Sequence, residues 1–161
     1  MYKSGEFVVY KRDVCKIEDI KNVRNQDYYV LIPMSDKSLK INVPVENKFG
    51  LLRNLIKKEE LEKLIEMIPN INAIECNDKM IENEYRTLMN SGKHEDLISI
   101  IKTTYLRNKE RLDNNKKIGD KDNSYFELAE KYLYNEFSIV LNMSYEDTKK
   151  YVIDKVSKLE G

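Results

Sequence analysis

Four short apolar runs stand close together at the start of the chain. They are GEFVVY from Gly5 to Tyr10, VCKIEDI from Val14 to Ile20, YYVLIPM from Tyr28 to Met34, and LKINVPV from Leu39 to Val45. The runs are rich in Val, Ile and Tyr, and segments heavy in Asn, Asp, Ser, Lys and Arg separate them. β-Branched and aromatic residues fit a pleated surface and polar residues fit its turns, so the pattern predicts a small all-β module. Phe7 and Val9 fall on one strand face, with Val8 and Tyr10 on the other. A strand apolar on both faces belongs inside a small barrel or under another element. Lys11-Arg12-Asp13 reads as a turn, Lys21 to Asp27 as a polar hairpin loop, and Ser35 to Ser38 as a further turn. Tyr28 to Ile32 is apolar throughout and is the best candidate for a buried strand; Pro33 has no N–H for a ladder and ends it. Leu39, Ile41 and Val43 alternate with Lys40 and Asn42, which sends the first three inward and the two polar residues outward. Leu51 to Leu55 offers a fifth short strand. Five short strands curling on themselves predict a five-stranded Tudor- or SH3-like barrel over residues 1–56.

From residue 57 the apolar period changes. Leu61, Leu64, Ile65 and Ile68 recur at helical spacing until Pro69-Asn70. Ile71 to Asn77 is an irregular connector and a candidate seam. Met80 to Asn90 puts Ile81, Tyr85, Leu88 and Met89 on one face, and Gly92 can close that helix in the left-handed conformation. Glu95 to Leu112 is a third helix, and Asp113 to Asp122 reads as a lysine-bearing loop. Ser124-x-x-Glu127 and Ser144-x-x-Asp147 have capping spacing and open two more. The architecture expected is therefore α+β: the barrel, then an all-α domain of about five helices over residues 57–161.

The chain carries 28 basic and 28 acidic residues, and zero net charge argues against strong free-standing nucleic-acid binding. The charge is unevenly spread, however. Residues 1–56 hold 10 basic and 7 acidic groups, and Lys102, Arg107, Lys109, Arg111, Lys116 and Lys117 are accompanied only by Glu110 and Asp113. That stretch can follow a phosphate backbone, and a solvated helix end explains it equally well. No run approaches the ~20 apolar residues of a membrane span, and the start of the chain lacks a signal peptide's apolar stretch. A cytoplasmic protein without a membrane partner is expected.

Little in the sequence points to catalysis. His94 is the one histidine, flanked by Lys93, Glu95 and Asp96, and is expected to be exposed at a helix start. The five glycines form no phosphate-binding spacing. No cluster of metal-ligand type occurs, so neither metal nor cofactor is expected. The glutamates read as solvated helix-surface partners of lysines. Cys15 and Cys76 belong to no CxxC pair and read as buried free thiols. Tyr85, Tyr105, Tyr125 and Tyr132 sit at core spacing with their hydroxyls at the rim. What remains is binding surface: Lys40 and Asn42 lie on a strand that can form a sheet edge, where open N–H and C=O groups accept another strand or where Lys40 guards the edge against pairing.

The series GEFVVY, VCKIEDI, YYVL, LKINVPVEN and GLLRNL resembles the N-terminal module of the CarD/CdnL family of bacterial transcription regulators. YRTLMNSGKHEDLISIIKTTYLRNKE and LAEKYLYNEFSIVLNMS resemble that family's helical module, so the likeness runs over roughly residues 4–156. It implies a Tudor-like module that docks on the β-subunit lobe of RNA polymerase. It also implies a helical module that meets promoter DNA at the upstream edge of the transcription bubble and stabilises the open complex without reading sequence. The same N-terminal module type occurs in the transcription-repair coupling factor, whose helicase motifs this chain lacks.

By the same resemblance the polymerase-facing strand is Leu39 to Val43, with Lys40 and Asn42 on its outer face and the basic Lys21 and Arg24 nearby. Family members carry Arg where Asn42 stands, and a Gly after the first turn that is missing here. Several members wedge a Trp into the minor groove. This chain has none, and Met80, in the corresponding stretch Asn77 to Met80, is the apolar residue available. Lys79, Arg86, Lys109, Arg111, Lys116, Lys117 and Lys121 are the implied phosphate contacts. Docking on polymerase raises the effective DNA concentration, so weak, monomeric DNA binding suffices. A second reading is a protein–protein adaptor that uses the barrel on another partner and has no DNA role.

Overall fold

The computed structural model describes residues 1–160. It divides into two compact units, Met1–Lys57 and the residues from Lys58 onward. The first is a five-stranded antiparallel sheet: β1 (Phe7–Tyr10), β2 (Asp13–Val23), β3 (Gln26–Pro33), β4 (Ile41–Pro44) and β5 (Leu52–Arg53). The strand order is β4-β3-β2-β1-β5. The expected closed barrel is not formed, because β4 and β5 are opposite edges that exchange no ladder. β5 has two residues and β4 four, the last being Pro44, so neither edge offers enough rungs to close the sheet. Curvature comes instead from a bulge in β2 between Ile17 and Asp19, where Glu18 is the extra residue.

Alternation places Val8, Cys15, Ile17, Tyr29, Leu31, Val43 and Leu52 in one buried cluster, with Tyr10, Ile41 and Val45 packed against it. Val9, Val14 and Val30 on the opposite face are buried as well, as expected of a strand apolar on both sides. The buried Cys15 thiol is pushed up to about 12, chiefly by loss of hydration and then by the charge of Asp13. Cys76, in contrast, is exposed.

The turns explain two departures from the sequence reading. β2 continues past Ile20 to Val23 and pairs Lys21 with Tyr28, Asn22 with Asp27 and Val23 with Gln26. The supposed loop at 21–27 is thus a ladder closed by Arg24-Asn25 alone, both at positive φ (52° and 64°). That is the sign pattern of the two-residue turn whose twist matches the flanking strands, and Asn tolerates it well. Lys21, Asn22, Asp27 and Gln26 make most of this ladder polar, so apolar alternation could not reveal it. Leu39 lies before β4 and is 50% exposed, not inward. At the first hairpin Lys11 occupies a left-handed position, φ 59°, where a side chain is strained. Lys11→Gly is expected to raise the unit's stability by about 0.5–1 kcal/mol, measured by denaturant unfolding of the full chain.

The second unit contains α1 (Lys58–Met67), a single 3-10 turn (Ile68–Asn70), α2 (Ile81–Ser91), α3 (His94–Asp113), α4 (Asp120–Leu141) and α5 (Tyr145–Glu160). Gly92 at φ 69° closes α2. α3 closes on Asn115 at φ 59°, with Lys116 N–H donating to Arg111 O. α4 closes on Asn142 at φ 54°, with Met143 N–H donating to Ser138 O. Both are left-handed Schellman-type caps. The cap expected at Ser144 forms, Asp147 N–H donating to Ser144 Oγ at 3.1 Å. The one expected at Ser124 does not: α4 has already begun at Asp120, and Ser124 Oγ donates to Asp120 O. The 71–77 connector is no seam but belongs to this unit. Its Ile74 N–H donates to Thr103 Oγ1 on α3 and its Asn72 O accepts from Ser99 Oγ. No helix among the described residues is long and apolar enough to cross a membrane.

Candidate interaction surfaces

β4 is an edge of the sheet, and the direction of its backbone groups follows from two observations. Val45 N–H donates to Asp27 O at 3.0 Å, and the register pairs Val43 with Tyr29 and Ile41 with Leu31. In an antiparallel ladder hydrogen-bonded and non-hydrogen-bonded pairs alternate. Residues 41, 43 and 45 therefore turn their amides toward β3. Asn42 turns both its N–H and its C=O outward, and Pro44, which has no N–H to lose, turns out its C=O. The side chains alternate with them: Ile41, Val43 and Val45 pack on the core, while Asn42 is exposed. Lys40, just before the strand, is 64% exposed and pairs at 3.1 Å with Glu18, the bulged residue of β2. Lys40 and Asn42 thus share the edge. Lys21 lies two strands in, level with Pro44 through Tyr28. Arg24 sits at the hairpin tip, beyond the end of β4.

In the helical unit, side chains from α2 and α3 meet on Asp122 of α4, which is 3% exposed. Arg107 Nε donates to Asp122 Oδ2 at 2.9 Å and Arg111 Nη1 donates to the same oxygen at 2.6 Å; Tyr85 Oη donates to Oδ1 at 2.8 Å. Arg107 also pairs with Asp78 at 2.8 Å. Burial alone raises the Asp122 pKa, but bonds from Tyr85, Arg107 and Arg111 outweigh it, and the carboxyl is held below its ordinary range. Burial and then the bond to Asp122 push the Tyr85 hydroxyl up. Gly119 opens α4 against this group, and a Cβ there would lie 2.5 Å from Arg111 Nη1. A larger residue at 119 would force the guanidinium aside.

Two clefts flank the network. Lys79, Arg111 and Lys121 line one, together with Glu82 and Asp120, and Arg111 and Lys116 line the other with Glu110 and Asn114. The structure thereby gathers four of the sequence-derived cations at one end of the unit, but it also commits several to carboxylates. Lys121 pairs with Glu82 at 2.9 Å, Arg86 pairs with Glu82 at 3.3 Å, and Arg111 is spent on Asp122. Lys79, Lys109, Lys116 and Lys117 are exposed and form no ion pair among the described residues. Met80 precedes α2 and is 46% exposed.

Other expectations change here. His94 is not an exposed helix-start residue: its side chain is 16% exposed, and Nε2 lies 2.9 Å from Oε1 of Glu136, itself 3% exposed. The Phe137 ring stands 5.9 Å from the imidazole. Glu136 and Glu130 are buried rather than solvated. Tyr85 is core, while Tyr105 is 56% exposed. Asp122 was missed as a structural centre, although a signal existed. Leu97, Ile100, Thr104, Arg107 and Arg111 step by three and four residues, so the two arginines prolong a buried stripe and demand a buried acid. No group of three or more His, Cys, Asp or Glu that could hold a metal ion occurs among the described residues.

Residues 2–56 match the family model described as CarD-like/TRCF RID domain. The match covers nearly the whole sheet unit and does not extend into the helices. No curated protein matches the chain. Over its sheet unit this chain is therefore similar to the CarD-like/TRCF RID domains.

Proposed function

We propose that this protein is a non-enzymatic transcription regulator that docks through β4 on the β-subunit lobe of RNA polymerase. From there its helical unit touches promoter DNA at the upstream edge of the bubble, without sequence preference, and stabilises the open complex. A CarD-like RID domain is an RNA polymerase-interaction module, which gives the sheet unit a transcription-related role. The single observation that carries the docking mode is the open edge at Asn42, with outward N–H and C=O and Lys40 beside it. A strand of the lobe can add to such an edge, with main-chain bonds supplying affinity. Asn42 keeps hydrogen-bonding capacity where a guanidinium would add charge.

For DNA, the exposed Lys79, Lys109, Lys116 and Lys117 are the available phosphate contacts, and phosphate contacts position without reading sequence. The pairing of Arg86, Arg111 and Lys121 with acids favours weak contact, and it is also the observation that favours the adaptor reading. One experiment separates the two: capture of a β-lobe fragment by the full chain, alongside open-complex lifetime on a promoter. Lys40→Glu/Asn42→Glu is expected to cut capture at least about tenfold. Substitution of Lys79, Lys109, Lys116 and Lys117 by Gln is expected to leave capture intact and abolish the lifetime effect. No capture by the native chain would overturn the reading, and an unchanged lifetime in the four-lysine variant would favour the adaptor.

A further inference from the structure

A groove runs along the helical unit between α3, α4 and α5. Its floor is made by Ile98, Leu133 and Val152, which are at most 3% exposed, and Ile153, 49% exposed, stands at its lip. Lys102 also lines it. The Lys102 ammonium donates to the backbone oxygens of Ile68 and Ile71. An ammonium has three donors, and no carboxylate lies within ion-pair distance of this one among the described residues. Glu160 acts on it only through its field, and loss of hydration holds its pKa down. Capping the 3-10 turn accounts for two of the three protons; the third has no acceptor among the described residues. At the other side of the groove Glu130 and Lys149 neutralise each other at 3.2 Å. The uncompensated charge on the lining is therefore positive. Lys149 and Ser157, which both line the groove, are separated by about 12 Å of α5 at ~1.5 Å per residue.

We propose that this groove binds an amphipathic anion, specifically a medium-chain aliphatic carboxylate. Its tail lies on Ile98, Leu133 and Val152, and its carboxylate accepts from Lys102 Nζ. The apolar floor accounts for the tail, since a continuous apolar strip this deep loses water favourably to a hydrocarbon. The unsatisfied ammonium accounts for the head, since a charge-assisted bond at a partly desolvated cation is among the stronger polar contacts. The proposal does not depend on the polymerase reading.

The test is a titration of the isotopically labelled full chain with decanoate below its micelle concentration, followed by amide NMR shifts. Saturable shifts confined to α3, α4 and α5 are expected, with weaker binding by octanoate. Decanol should bind about tenfold more weakly or worse, and decyltrimethylammonium should not saturate. Lys102→Met is expected to weaken decanoate by about tenfold or more. Because Lys102 also ties down the 3-10 turn, Ile153→Asp serves as a second variant: it alters an exposed side chain, leaves the fold alone, and should weaken binding comparably. Absence of saturable shifts, shifts centred elsewhere, or equal binding by the alcohol or the ammonium would overturn the proposal.

Discussion

Asp122→Ala is expected to lower the stability of the helical unit by about 3 kcal/mol, the low end for breaking a buried ion pair. The melting midpoint should fall by roughly 10–20 °C for a unit of this size. The loss is large because Asp122 satisfies three donors from two other helices. Without it the Tyr85 hydroxyl, on a residue 1% exposed, is left buried and unpartnered, and two guanidinium groups repel each other. The loss stays near the low end because Arg107 and Arg111 are 25% and 29% exposed and can recover water. Asp122→Asn should cost less, since its amide oxygen still accepts. The pH dependence follows from the lowered pKa. The stabilisation is present above the unfolded carboxyl value, near 3.9, and is lost as pH falls through the lower folded value. Thermal melts of both variants between about pH 7 and 3 check this, and a midpoint for Asp122→Ala equal to the native one would refute the network's role.

Asn42→Pro is expected to abolish capture of the polymerase lobe while leaving the sheet folded. The substitution removes one N–H, and the register turns that N–H away from β3. Ile41 before it is already extended, the conformation a following proline requires. The ladder to β3 is therefore kept and only the outward donor is lost. Val43→Pro is the control with the opposite geometry. It deletes an amide that bonds to β3, opens a core position 7% exposed, and should unfold the edge as proline does in a paired strand. Circular dichroism separates the two variants and capture reads the function. If Asn42→Pro is folded and still binds as the native chain does, strand addition at β4 is wrong, and docking must use side chains on another face.

These two sites differ in how far the sequence disclosed them. The alternation Leu39-Lys40-Ile41-Asn42-Val43 identified Lys40 and Asn42 as outward, because period two is a property of the strand itself. It could not give the sheet order, so it could not say that β4 is an edge and β5 the other. Nor did it show that Leu39 precedes the strand, since an apolar residue next to a strand looks like part of it. In the helices the apolar stripes, the glycine at 92 and the spacing at Ser144 gave the elements and two caps. The polar core was hidden because burial of Asp122 and Glu136, and part-burial of Arg107, Arg111 and His94, depend on pairing between residues 11 to 42 apart on different helices. Residue type alone reads each of them as surface. The phosphate-contact set shrinks for the same reason: a cation's availability is decided by the acid beside it in space.

The compact sheet unit closes at Lys57, and the family likeness reaches residue 56. The stretch that matches the family and the stretch that forms a compact unit are thus nearly the same. A unit with its own core of Val8, Cys15, Ile17, Tyr29, Leu31, Val43 and Leu52 has the contacts to fold without the helices. A boundary that falls at the same place by likeness and by contacts makes residues 1–57 the natural piece to express alone.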